Sequence, residues 1–317
     1  MPDLRPIEKF RLMLGGQHPP ETFNVVARRA SMEAMARRLA PPADIAHTPI
    51  AIAGIACEWL TAPGSRDDHA IVWMHGGGFS AGSCATHRGM AGEIARHAAA
   101  RVLTIDYRLS PEHPFPAAQD DCDAVYAVIA AMPTIEKLAV IGDSAGGALA
   151  LGVMITARDE TRRRPDVAAL YSPWLDLRCT ANAYVSKAAA DPMIDPEVLR
   201  RLAADYLGGR PASDPAASPG LADLQGLPPI LVQVGSEEVL LDDSLSFDRT
   251  GREAGVDVTI EVWAEMVHVF QAYHMLLPEG GAALARTGQF FQRHWRWTSL
   301  ATERERSPAH WQRYLCQ

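Results

Sequence analysis

Cysteine is scarce in this 317-residue chain: Cys57, Cys84, Cys122, Cys179 and Cys316 are odd in number and include no CxxC pair. That excludes a disulfide scaffold or a cysteine zinc site and suits a reduced, cytoplasmic setting. Positive charge is in deficit, with 30 Lys and Arg against 38 Asp and Glu and a net charge of −8. No basic face is therefore expected for nucleic acid or an anionic membrane. An uninterrupted apolar span is missing too: the most apolar stretch, 139–157, contains Gly142-Asp143-Ser144, and a charge at mid-bilayer is expensive. The opening residues, Met1-Pro2-Asp3-Leu4-Arg5-Pro6, carry charges and prolines where a secretory signal needs an apolar run. There is no internal repeat and no G-x-x-x-x-G-K-[ST] or G-x-G-x-x-G phosphate loop. What remains is a globular composition, 48% hydrophobic and 21% charged, which rules out a disordered chain.

Short apolar runs alternate with longer amphipathic segments, the pattern of βα units on a mostly parallel sheet. Strands are expected over 70–74, 102–106, 138–141, 167–171, 230–234 and 258–263. Helices are expected over 85–99, 117–131, 145–158, 244–254 and 282–297, the fourth stopping at Gly255. Two regions break the rhythm. Residues 1–44 include a helical stretch at 25–39 bearing Arg28-Arg29 and Arg37-Arg38, while 178–218 hold a helix near 197–206 and a Pro/Ala/Ser/Asp-rich connector. The expected organisation is an α/β domain over 45–177 and 219–317 with a helical cap from 1–44 and 178–218. The arginine pairs are expected on the solvated side of that cap.

Gly142-Asp143-Ser144-Ala145-Gly146 is a G-x-S-x-G pentapeptide. Chance supplies about one such match per ten chains of this length, so its setting decides its meaning. It follows an apolar strand and opens a small-residue helix, the strand–turn–helix context of a nucleophile elbow. His75-Gly76-Gly77-Gly78-Phe79 follows the 70–74 strand, and unshielded amides there could converge on a developing oxyanion. A serine nucleophile needs a base. His268, after the last strand, is the candidate, with His274 beside it; His97 and His294 read as structural or surface groups. The base in turn needs an acid between residues 144 and 268 in the order Ser…Asp/Glu…His. Glu237, Glu238, Asp242 and Asp243 are four candidates, and first-turn acids on the next helix are the alternative use for most of them. Asp120-Asp121-Cys122-Asp123 reads as a capping or solvated cluster rather than a cation site. Trp295-Arg296-Trp297 reads as a terminal helix docking on the body.

Together these motifs resemble the hormone-sensitive-lipase-like family of α/β-hydrolase carboxylesterases over nearly the whole chain. Its H-G-G-G-F is similar to His75–Phe79 and its G-D-S-A-G-G to Gly142–Gly147; the Y-R-L-A-P-E-H-P-F-P-A-A loop corresponds to Tyr107–Ala118 with Ser110 for alanine, and S-P-W-L-D to Ser172–Asp176. The resemblance implies an α/β-hydrolase fold, Ser144 as nucleophile, His268 as base, and amides of Gly77, Gly78 and Ala145 as the oxyanion hole. The family's acidic D-P-L-x-D loop matches Glu238–Asp242, which makes Glu238 the implied acid and Asp242 the second choice. The chain departs from the pattern again at Glu265, where the family usually has glycine. The implied activity is hydrolysis of small, short- to medium-chain carboxylic esters through an acyl-enzyme, without metal or organic cofactor. The implied partner is a small-molecule ester; no nucleic acid and no stable membrane insertion are expected, and a homodimer is left open. A lactonase, deacylase or acyltransferase on the same triad, or a non-catalytic small-molecule receptor of the same fold, are the alternatives.

Overall fold

The computed structural model describes residues 4–14, 23–38 and 41–305, with side chains to 296. Helices α1 (Pro6–Leu14) and α2 (Val25–Arg38) precede a hairpin of β1 (Ala46–Ile52) and β2 (Ile55–Thr61). Then come β3 (Arg66–Met74), α3 (Cys84–Ala98), β4 (Ala100–Ile105), α4 (Ala117–Ala130), β5 (Lys137–Asp143), α5 (Ala145–Asp159) and β6 (Val167–Tyr171). The short α6 (Ala183–Ser186) and α7 (Pro196–Leu207) intervene before β7 (Ile230–Gly235), α8 (Leu241–Glu253), β8 (Val258–Trp263) and α9 (Pro278–Glu305). Eight strands form one sheet in the order β1-β2-β4-β3-β5-β6-β7-β8. β1 and β2 are antiparallel to their neighbours, and the rest are parallel. This is the α/β-hydrolase fold.

Successive residues of the central strands point to opposite faces, and both faces are covered, which is why these strands read as unbroken apolar runs. Val72 and Met74 of β3 join the core under α4 and α5, whereas Ile71 and Trp73 join the core under α3 and α9. Trp295 is buried in the second core against Phe291, so that part of α9 docks on the body; the side chain of Trp297 lies outside the described residues.

The β1–β2 hairpin carries little sequence signal, for a physical reason. β1 is exposed at all but its last residue and carries Pro49, which an edge strand tolerates. No apolar alternation marks it. Its turn is Ala53-Gly54, with φ of 53° and 80°, the left-handed pair that a two-residue hairpin needs but without the usual Asn-Gly.

From β3 the chain crosses to β4 on one side and then to β5 on the other, so β3 and β5 are neighbours whose connections diverge. Open α/β sheets form a crevice at such a switch point, beyond the C-terminal strand ends. The glycine loop follows β3 and Ser144 follows β5. α7 packs over this edge, with the Tyr206 ring stacked on Phe79 at 3.7 Å between centroids, and α1 buries Ile7 and Phe10 against Met266, Val267 and Phe270 of the loop after β8. Among the described residues no helix is long and apolar enough to cross a membrane.

Asp243 ties α8 to the chain after β6: one carboxylate oxygen accepts the Leu175 N–H at 2.9 Å and the Asp176 N–H at 3.1 Å. Burial pushes this carboxyl up to about 7. A folded-state value raised above the unfolded one adds stability below about pH 4 that is lost as pH rises through 7. Asp243→Asn retains an acceptor oxygen and never ionises. Its melting temperature relative to the parent is expected to climb by the order of 5 °C between pH 5 and pH 9. A pH-independent difference would contradict this.

Candidate active site

Ser144 sits between β5 and α5 with φ 52° and ψ −122°, a strained conformation for a residue with a Cβ. Two glycines make the bend possible: a methyl on Gly142 would run into the Gly146 carbonyl, and one on Gly146 into the Met74 carbonyl. The serine amide donates to Tyr171 O at 2.9 Å and its carbonyl accepts Trp174 N–H at 2.9 Å, so β6 and the turn after it brace the bend.

The turn after β8 delivers His268. Its entry, Glu265, has φ 63°, the left-handed region that explains a glycine at this place in the resembling family. Here the glutamate carries that backbone strain and forms a forked pair with Arg5 at 2.5 and 2.8 Å. His268 Nε2 accepts the Ser144 hydroxyl at 2.9 Å, and its Nδ1–H donates to Glu238 Oε2 at 2.7 Å. His274 turns away, its Nδ1 lying 3.2 Å from Gln271 O.

Of the four acids after β7, Glu238 is the one placed against the imidazole. It is fully buried, and its other oxygen accepts the Gly235 N–H at 2.6 Å and the Ser172 hydroxyl at 2.8 Å. Asp242 instead accepts the Ala183 N–H at 2.7 Å, Asp243 holds the post-β6 segment as described, and Glu237 faces Lys187 at 3.4 Å. Burial works to lower the His268 pKa, but the hydrogen bond and charge of Glu238, with Asp191 and Asp143 behind, outweigh it and hold the ring above the ordinary histidine value.

The expected amides lie on the same crevice. Gly77 and Gly78 take φ of 125° and 60° and line the cavity with Ser144 and His268. Ala145 opens α5, where the first amides of a helix have no intrahelical acceptor. Beneath the elbow, Asp143 accepts Trp73 Nε1–H at 2.9 Å and pairs with His87 Nε2 at 3.2 Å. Burial raises its pKa, but His87 and Trp73 overcome this and keep it below the usual range. His75 is fully buried and pushed down to about 3, so it is a neutral ring; it stacks on Tyr107 at 4.1 Å, and no base function falls to it.

Sequence reading missed three contributors. Ser172, at φ 43°, donates to Glu238 and accepts the Val269 N–H at 3.1 Å, joining the acid to the histidine turn. Asp191 accepts the amides of Met193, Ile194 and Val239 between 2.9 and 3.0 Å, tying the segment before α7 to the residue after Glu238. The third is a correction: Arg28 and Arg29 are not on a solvated face. Arg28 Nη1 donates to Gly77 O at 2.6 Å, and Arg29 donates to Ser80 O at 2.7 Å and Ser110 O at 3.0 Å. A charge pair in sequence carries no sign of which helix face meets backbone carbonyls. Arg37 and Arg38 are exposed, as expected. The Asp120–Asp123 cluster is partly spent on Arg108, which pairs with Asp121 at 2.7 Å. Among the described residues no group of three or more His, Cys, Asp or Glu side chains is arranged to hold a metal ion.

The cavity above Ser144 measures about 320 Å³. Its walls are largely apolar, with Met32, Met35, Met90, Ile194, Leu199 and Leu202 among them. That is the lower end of the range for small-molecule sites.

Known proteins resemble this chain over most of its length. A family model described as alpha/beta hydrolase fold matches residues 71–272. An acetyl-hydrolase of Streptomyces hygroscopicus is 37% identical over 268 residues, covering 84% of this chain and 88% of that protein. An esterase of Acinetobacter venetianus is 34% identical over 275 residues, covering 86% and 90%. Among solved structures, EstE5 soaked with p-nitrophenyl butyrate superposes with a TM-score of 0.89 at 42% identity, covering 92% of this chain and 99% of that one. An esterase from the bacterial hormone-sensitive lipase family gives 0.88 at 38% identity, covering 93% and 100%.

The electrostatics of the imidazole can be measured directly. In an NMR titration the His268 ring is expected to titrate above 6.5, and Glu238→Gln is expected to lower it by a unit or more, since a carboxylate hydrogen bond and charge are removed together. An unmoved titration would mean that Glu238 does not hold the ring.

Proposed function

Since the chain belongs to the alpha/beta hydrolase family, among the esterases of bacterial hormone-sensitive-lipase type, and is a carboxylic ester hydrolase, we propose that it works through a Ser144–His268–Glu238 triad and an acyl-enzyme. The observation that carries this reading is the unbroken hydrogen-bonded chain from Glu238 Oε2 through both His268 nitrogens to Ser144 Oγ, with steps of 2.7 and 2.9 Å.

The carboxylate fixes the neutral ring's proton on Nδ1, which leaves Nε2 to take the serine proton as Oγ attacks the ester carbonyl. Glu238 then stabilises the imidazolium. Charge gathers on the former carbonyl oxygen, towards the amides of Gly78 and Ala145 and the adjoining Gly77. The imidazolium protonates the departing alcohol as the tetrahedral adduct collapses to the acyl-serine. A water activated by the same ring then attacks the acyl carbon, the second adduct releases the acid, and the proton returns to Oγ. All transfers are between substrate, water and protein groups.

The cavity of about 320 Å³ with apolar walls favours short to medium acyl chains on small uncharged alcohols. The name acetyl-hydrolase borne by one relative fits the short end of that range.

Ser144→Ala and His268→Ala are expected to abolish turnover of a chromogenic acetate ester and labelling by a fluorophosphonate probe, with melting temperature little changed. Appreciable turnover by either variant would remove that residue from its role. The choice of acid is checked by comparing two amide substitutions. Glu238→Gln should cost on the order of 10²–10⁴ in kcat, whereas Asp242→Asn, whose carboxylate serves the Ala183 amide, should stay within about threefold. The reverse order would move the acid to Asp242.

A further inference from the structure

Gly77 and Gly78 share one peptide unit, and in a trans peptide the carbonyl and the N–H point in opposite directions. The Gly78 amide is an expected oxyanion donor; the Gly77 carbonyl at the other end of that unit is where Arg28 Nη1 binds, at 2.6 Å, with a second bond from the same nitrogen to Ser80 Oγ at 3.2 Å. The carbonyl also accepts the amides of Ser80 and Ala81 at 3.2 and 3.0 Å. Those two bonds shape the turn, and both come from neutral donors within it.

Arg28 differs in three respects. It is charged, and charge-assisted hydrogen bonds are shorter and roughly twice as strong as neutral ones. Its two polar contacts among the described residues are to neutral oxygens, with no carboxylate to absorb its charge. It also lines the cavity that holds Ser144, where water is partly excluded and a hydrogen-bond chain polarises its members more than in solvent. Burial brings the guanidinium down to about 10, still protonated at neutral pH. The placement is also held from behind. Asn24 caps the start of α2 by accepting the Ala27 N–H at 3.0 Å. Glu33 accepts the Ser83 hydroxyl at 2.6 Å, and the neighbouring Arg29 clamps Ser80 O and Ser110 O while pairing with Glu112 at 2.7 Å.

We propose that Arg28 is a positioning residue for ester hydrolysis: from α2 it fixes and polarises the Gly77–Gly78 peptide so that the Gly78 N–H is aimed and strengthened as an oxyanion donor. The oxyanion site is then completed by a helix that precedes the matched hydrolase segment, residues 71–272. The inference rests on the serine-esterase reading above.

Arg28→Met, Arg28→Lys and, as a control on the exposed part of the same helix, Arg37→Met can be compared with the parent on a neutral acetate ester and with phenylboronic acid, whose tetrahedral serine adduct mimics the oxyanion. Removal of a whole oxyanion donor costs about 10²–10³ in kcat; with the Gly78 amide retained but less well held, Arg28→Met is expected to lose about tenfold or more. KM should stay within about twofold, and the boronate should weaken by the same factor as kcat. Lysine, which restores the charge with a poorer fit, should fall between, and Arg37→Met should match the parent. If Arg28→Met does not fold, the lysine variant carries the test, with a threefold or larger loss in kcat at constant KM expected. Full kcat in the folded Arg28 variants overturns the proposal. So does a rise in KM confined to esters bearing a carboxylate, which would make Arg28 a substrate-anion site, or a loss of kcat without weakening of the boronate. Turnover surviving in Ser144→Ala would instead sink the triad reading and leave that failure separate from this one.

Discussion

The hydrogen bond between His268 Nε2 and Ser144 Oγ spans 124 residues of sequence and joins two loops from different strands of the sheet. One is a strained bend at the centre of the sheet, and the other follows its edge strand. The bend requires glycine on both sides of Ser144, because backbone carbonyls occupy the space where side chains would begin. The histidine turn depends on Ser172 and Glu238, which bond to one another and to the amides of Val269 and Gly235. Buried polar groups at this density are stable only when nearly all are satisfied, and here the same bonds that satisfy them also set the direction of proton transfer.

Much of this was legible in the sequence because the parallel strands are covered on both faces. Continuous apolar runs such as Ala70–Met74 mark a strand buried on each side, and the glycine-rich motifs fall directly after two such runs. The side of the sheet that carries chemistry therefore followed from motif and strand order together. The choice of Glu238 over its acidic neighbours did not follow from the residues themselves. Glu237, Glu238, Asp242 and Asp243 differ in which backbone amides or side chains they reach, a property of the folded loop, and the family resemblance supplied the preference. In the β1–β2 hairpin, β1 is an exposed edge strand with no buried face to impose a pattern, and β2 buries the charged Glu58 among its apolar residues, which breaks the apolar run. Arg28 and Arg29 escaped because a polar side chain bound to main-chain carbonyls looks, in sequence, like one facing water.

The helices outside the sheet alternation touch each part of the site by a different route. α1 lays Ile7 and Phe10 against the histidine turn, α2 reaches the glycine loop through two guanidinium groups, and α7 places Leu202 against Gly78 and Tyr206 on Phe79. Both sides combine apolar and charge-assisted contacts: Arg5 pairs with Glu265 beside Ile7 and Phe10 at the histidine turn, and Leu202 lies against Gly78 where Arg28 binds the Gly77 carbonyl. Side chains of α2 and α7 supply part of the cavity wall, while the bend, the imidazole and the acid follow the C-terminal ends of β5, β8 and β7. That division explains why the substrate range is hard to read from a chain whose chemistry is plain.

The central claim is that acyl transfer passes through Ser144. It is tested most directly by rapid-quench mass spectrometry of the intact enzyme during turnover of p-nitrophenyl acetate, followed by peptide mapping. A single acetyl group on Ser144, formed and lost at rates compatible with kcat, is the predicted result. Steady turnover with no adduct, or with the acyl group on another residue, would contradict it.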